Sequence, residues 1–131
     1  MPVTTGINAV FIFGGITFNA DDCIQNTGIN TTLQIPQYQC SGVMKNVVGT
    51  KAFVFNYTIV VSATNDSFVT ALDVGSTSTL TYQPYGTTAT YQKYTSTRGI
   101  AASQNISAPV NAVVTVDGTI NLDDLTIGAN T

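Results

Sequence analysis

Apolar and polar residues alternate along most of this chain with the period of two that a half-buried strand requires. The clearest run, "FVFNYTIVV" over residues 53–61, sets Phe53, Phe55, Tyr57, Ile59 and Val61 on one face and Val54, Asn56, Thr58 and Val60 on the other. The first face reads as core, and the second is half polar. Near the start, residues 7–13 predict a strand that stops at Gly14 and Gly15, a turn or bulge, and resumes over 16–18. Residues 19–22 supply turn chemistry, after which 23–35 are β-branched enough for strand, interrupted at Gly28 and closed by Pro36. Residues 37–51, "QYQCSGVMKNVVGTK", are patchy and hold two glycines, which predicts a long loop or a projecting hairpin.

One stretch has helical spacing. In "NDSFVTALDVG", Asn65 or Asp66 can cap, Phe68, Val69 and Leu72 share a helical face, and Gly75 stops the turn, so a short helix is expected over about 66–73. Strand character then returns, with Thr77, Thr79 and Thr81 alternating with Ser78, Leu80 and Tyr82 up to a turn at Gln83, Pro84, Tyr85 and Gly86. Further strands are expected over 89–95, 100–107, 110–116 and 119–127, with Asp117 and Gly118 as the hairpin corner between the last two. The fold class is therefore mainly β: an antiparallel β-sandwich or partly closed barrel with one short α-helix. No internal repeat or linker divides residues 1–131, and a single domain is expected.

Composition narrows the function. Only 8% of the residues are charged, against roughly 25% in an average soluble protein, and Glu, His and Trp are absent. Solvation falls to Thr, Ser, Asn and Gly. A net charge of -3 argues against gripping nucleic acid, because such binding draws its affinity from Lys and Arg neutralising phosphates. A weakly acidic wall past which DNA slides is compatible with the same count. No run of eighteen apolar residues and no basic, then apolar, leader occurs, so synthesis and retention in the cytoplasm without a membrane segment is the expectation.

Candidate chemistry is sparse. Without His, a Ser or Cys nucleophile lacks its commonest base. The neighbours Asp21 and Asp22, and Asp123 and Asp124, point to opposite faces of a strand and make no ready dyad; Asp66, Asp73 and Asp117 sit where Asp serves turns and caps. No phosphate-cradling glycine motif and no metal-ligand spacing occurs, so no catalysis, cofactor or metal is expected. Cys23 and Cys40 are read as half-buried free thiols, with a disulfide as the sharper alternative. The sequons at Asn30, Asn56, Asn65 and Asn105 are what a chain rich in Asn and Thr contains by chance. Tyr82, Tyr85, Tyr91 and Tyr94 cluster around one hairpin, where they pack, meet a protein partner, or stack on bases or sugars.

The second half carries a family pattern. Val48, Gly49, Thr50 and Lys51, the alternating strand after them, "DSFVTALDVGSTSTLTYQPYG", and "GIAASQNISAPVNAVVTVDGTINL" resemble the order found in major tail (tail tube) proteins of long-tailed bacteriophages, over about residues 48–122. The most telling piece is "SAPVNAVVTVDGTINL". The resemblance implies a small β-sandwich with a flanking helix, a structural and non-enzymatic virion protein that self-associates into hexameric rings stacked as a tube, assembled in the host cytoplasm and contacting other tail or neck proteins. DNA would pass through an acidic-to-neutral bore without specific binding. On that reading Asn56, Thr58, Thr77, Thr79 and Thr81 are candidates for the bore, since they put neutral polar faces on otherwise buried strands, and Gln39, Met44, Lys45, Asn46 and Lys51 for an inter-ring loop. "DDLTIGANT" continues beyond the family pattern and the first forty residues fall outside it. A neck, tail-completion or capsid cement protein, or an adhesive, carbohydrate-binding sandwich using the tyrosine hairpin, stays open.

Overall fold

The computed structural model describes residues 9–19, 24–46, 49–62, 67–110 and 112–131. Along the chain the elements are β1 (Val10–Phe13), β2 (Ile16–Asn19), β3 (Ile24–Leu33), β4 (Gln37–Cys40), β5 (Val43–Asn46), β6 (Lys51–Val61), α1 (Ser67–Ala71), β7 (Thr77–Gln83), β8 (Gln92–Ser107), β9 (Val114–Leu122) and β10 (Thr126–Ala129). Eight strands form one antiparallel sheet in the order β2-β1-β7-β8-β9-β6-β3. The eighth, β10, pairs with β8 on the edge that β9 occupies further along. β4 and β5 make a separate two-stranded ladder.

This sheet curls until its two ends face each other. β1 and β6 lie four strand spacings apart, about 19 Å in a flat sheet. Yet the rings of Phe11 and Phe55 are 4.9 Å apart, and Phe55 meets Tyr82 of β7 edge-on at 5.0 Å. Thr27 of β3 and Tyr82 share a hydroxyl hydrogen bond of 2.9 Å across the same gap. The ends approach without pairing, so the barrel stays open. Inside lie Phe11, Phe13, Phe18, Phe55, Tyr57, Ile59, Leu80, Val116 and Ile120, and Leu72, just after α1, adds a fully buried side chain. The mainly antiparallel β fold with one short helix agrees with the alternation in the sequence.

Several element boundaries differ from the expected ones. Asp117 and Gly118 are no hairpin corner but the middle of β9, where Gly118 pairs with Tyr57 and with Gln104. A Cβ at Gly118 would collide with Tyr57 Oη and stand 2.5 Å from the Ser103 carbonyl, so glycine is there for close approach. The expected strands 89–95 and 100–107 are one continuous strand, β8, because partners on both edges carry it past Gly99. Val110, Ala112 and Val113 belong to the connection before β9, not to the strand. Gly28 does not interrupt β3; it pairs with Asn56 in register. At Gly14 and Gly15, by contrast, φ values of 64 and 78 make the expected tight turn. The helix is Ser67–Ala71, shorter than 66–73, and the cap candidates Asn65 and Asp66 lie outside the described residues, as do Asp21, Asp22 and Cys23. Among the described residues no helix is long and apolar enough to cross a membrane.

Candidate functional site

Because residues opposite each other in an antiparallel ladder share a face, the registers define two polar rows over β3, β6, β9 and β8. One row is Asn26, Thr58, Asp117 and Asn105; the next is Gly28, Asn56, Thr119 and Ser103. Thr58 Oγ1 donates to Asp117 Oδ1 at 2.7 Å, and the hydroxyls of Ser103 and Thr119 are 2.8 Å apart. Asn121 extends the face beside Val54. Asp117 is the one charged group in these rows, a composition that wets the surface without holding phosphate.

The five bore candidates divide between two surfaces. Asn56 and Thr58 stand on the face just described. Phe55 and Tyr82 meet inside the core, so the outward side chains beside them on β6 and β7 point in opposite directions. Thr81, beside Tyr82, therefore lies on the other side of the molecule, aligned with Ile12 and Thr95, whereas Thr77 stands opposite Ile100 and through it Asn121, at the margin of the first face, and Thr79 falls at the register shift between them. Ser103, Asn105, Thr119 and Asn121 complete the first face and were missed as candidates. Their signal was the alternation within "VTVDGTINL", which the reading of Asp117 and Gly118 as a corner concealed.

The face ends on two strand edges that no described strand pairs. Among the described residues β3 pairs only with β6, and β8 from Ser103 to Ser107 pairs only with β9. Beyond β3, the bonds Gln34 N to Thr50 O (3.0 Å) and Gly49 N to Gln34 O (2.9 Å) carry the β3–β6 ladder towards the β4–β5 hairpin. Ser41 and Gly42 turn that hairpin with positive φ, and all eight of its strand residues are exposed. It holds Gln39, Met44, Lys45 and Asn46; Lys51 opens β6 and is likewise exposed. Cys40 is a free, exposed thiol rather than a half-buried one.

Other polar groups are structural. Asp124, in the break between β9 and β10, accepts from Thr97 N (2.8 Å), Thr97 Oγ1 (3.0 Å) and Ser96 Oγ (3.1 Å). The Thr97 N–H, helped by the two hydroxyls, holds its carboxyl below the ordinary 3.8. Asp123 pairs with Arg98 at 3.2 Å, with both side chains about half exposed. Burial, with a smaller push from Asp117, raises the Tyr57 hydroxyl from 10.0 to about 12. Burial also raises that of Tyr82, which the Thr27 hydrogen bond partly opposes. Tyr82 is a core residue, so the tyrosine cluster offers Tyr85 and Tyr91, edge-on at 6.4 Å, rather than four stacking platforms. Among the described residues no group of three potential metal ligands occurs.

No protein-family model and no curated protein matches the chain. Solved structures do. A chain of the native gene transfer agent virion is similar with a TM-score of 0.71 at 8% identity, covering 98% of this chain and 100% of that one. A chain of the PVC sheath-tube complex, from an extracellular contractile injection system, gives 0.67 at 10% identity over 98% and 91%. Hcp1 from Flavobacterium johnsoniae gives 0.62 at 10% identity over 94% and 96%. This is the tail-tube fold. The likeness runs over nearly the whole chain, beyond the span 48–122 that the sequence pattern covered. At these identities it is shared architecture.

Proposed function

We propose that the chain is a structural, non-enzymatic subunit of a virion or related particle, assembling as hexameric rings stacked into a tail tube through which DNA passes. The observation that carries this reading is the nearly uncharged face of β3, β6, β9 and β8, bounded on each side by a strand edge that no described residue pairs. Side-by-side pairing of the β3 edge with the 103–107 edge of a neighbour's β8 continues the sheet from copy to copy, which removes edges that are hazardous in a monomer. The bore is then lined by Asn56, Thr58, Ser103, Asn105, Thr119 and Asn121, with Asp117 keeping it faintly acidic. Thr81 falls on the outer wall, and Thr77 at the margin between the two. The β4–β5 hairpin, with Gln39, Met44, Lys45, Asn46 and Lys51, makes the contact between stacked rings, and the tube ends meet other tail or neck proteins. Assembly takes place in the host cytoplasm.

Negative-stain microscopy of the purified protein tests this. Rings or tubes with a central channel are expected. A protein that stays monomeric at high concentration would overturn the reading.

A further inference from the structure

The four strands of the polar face are tied to the body behind them at both outer edges, and at one level. Opposite residues place Thr27 (β3), Tyr57 (β6), Gly118 (β9) and Gln104 (β8) in a single row on the core side. On the two edge strands the adjacent core-side positions are apolar: Ile24 and Ile29 on β3, Ala101 and Ile106 on β8. Thr27 and Gln104 are the polar exceptions, each half-buried, and each directs its polar group into the body. Thr27 Oγ1 and Tyr82 Oη are 2.9 Å apart, and Gln104 Nε2 donates to the Val69 carbonyl of α1 at 3.0 Å. Both anchors are themselves fixed. Tyr82 packs on Phe55 and Tyr94, with ring centroids 5.0 and 6.1 Å away. The buried Leu72 holds α1 from its C-terminal side, and the segment after it is laced to β8 by Gly75 N to Ala101 O (2.8 Å) and Ala101 N to Ser76 O (2.9 Å).

We propose that these two hydrogen bonds set the angle between the edge strands and so the number of copies that close a ring, which makes Thr27 and Gln104 positioning residues for closure. A ring closes only when each copy turns the shared sheet by one full turn divided by the number of copies. Strand pairing alone leaves that turn open, since the twist between adjacent strands ranges over roughly 10–35°. An edge strand is the freest to swing, because it is held by a ladder on one side only, and the two bonds act there. Satisfied polar contacts at otherwise apolar positions fix one geometry more than they add stability. The inference rests on the ring reading and names the residues that decide ring size.

The test compares electron-microscopic top views of the native protein with those of full-length Thr27→Val and Gln104→Met proteins, singly and together, well below each melting temperature. Both substitutions keep the size of the side chain and remove the hydrogen bond. One ring size is expected for the native protein, and a spread over several ring sizes or open arcs for the double variant, with each single variant shifting the same way. Thr27→Ser, which keeps the hydroxyl, should return the single native size. Rings of the native size alone from the folded double variant overturn the inference and leave the ring reading standing; a Thr27→Ser protein that spreads as Thr27→Val does has the same force. A native protein that forms no rings overturns both. Should the double variant not fold, the two single variants are read by the same criterion, and native rings from both overturn the inference.

Discussion

Tyr57 lays its hydroxyl over Gly118 on the neighbouring strand, in the space that any side chain at position 118 would claim. The hydroxyl is buried and has no hydrogen-bond partner among the described residues. One residue pair thus explains a glycine in mid-strand and an orphan polar atom in the core.

Gly118→Ala is therefore expected to destabilise the protein by about 1–3 kcal/mol, the cost of overpacking a close contact. Urea unfolding measures it. Adding Tyr57→Phe restores only part of the loss, because the Ser103 carbonyl also crowds the new methyl. Full recovery would mean that the backbone contact is unimportant.

Tyr57→Phe alone reports on pH. The folded protein holds the Tyr57 proton to about pH 12, whereas an unfolded tyrosine releases it near 10.0. The contribution is complete below pH 10 and is lost as pH rises through 12. Phenylalanine should flatten the alkaline fall in stability, leaving the part due to Tyr82, and should cost nothing at neutral pH because it removes an unpartnered polar atom.

Asp124 works with the opposite sign. Its carboxyl is held below 3.8, so its stabilisation is present above that value and lost as pH falls through the depressed folded value. Asp124→Asn should lower stability at pH 7 and weaken the dependence on pH below 4, read from thermal melts across an acid series. An unchanged acid limb would count against the clasp on Thr97.

Asn130 ties the end of the chain to the 84–91 loop: its Nδ2 donates to Gly86 O at 2.8 Å and Thr88 O at 2.9 Å, and its Oδ1 accepts from Gln83 Nε2 at 2.9 Å. Asn130→Ala is expected to cost about 1–3 kcal/mol, since these partners are left unsatisfied in a largely buried setting. Hydrogen exchange should speed up at residues 86–91 while β6 and β9 stay protected.

On the proposed bore, Asn56→Arg should leave stability within about 0.5 kcal/mol of native, since the position is exposed. Assemblies of this variant should retain DNA in a salt-dependent way that the native protein does not. Equal retention by both would show that position 56 does not face the DNA path.

How much of the candidate site was legible follows from the range of each signal. Asn56 and Thr58 were readable because their strand alternates without interruption between Phe53 and Val61. Ser103 and Thr119 were not, because each depends on knowing that β8 and β9 are neighbours and that Gly118 sits within a ladder. Thr77, Thr79 and Thr81 alternate as cleanly as Asn56 and Thr58, yet alternation says only that a side chain points out, not in which direction out lies.

By itself, the sequence determined the strand-rich class, the inward set from Phe55 to Val61, the glycine turn at Gly14 and Gly15, and the short helix before Gly75. These are consequences of spacing and backbone preference within a few residues. Only the tertiary structure decided that eight strands make one sheet, that this sheet curls until Phe11 touches Phe55, that Asp117 and Gly118 continue a strand, and that Thr58 and Thr81 look away from each other. The physical reason is that strand partners and curvature are chosen by contacts between residues far apart in the chain, and a period of two carries no record of them.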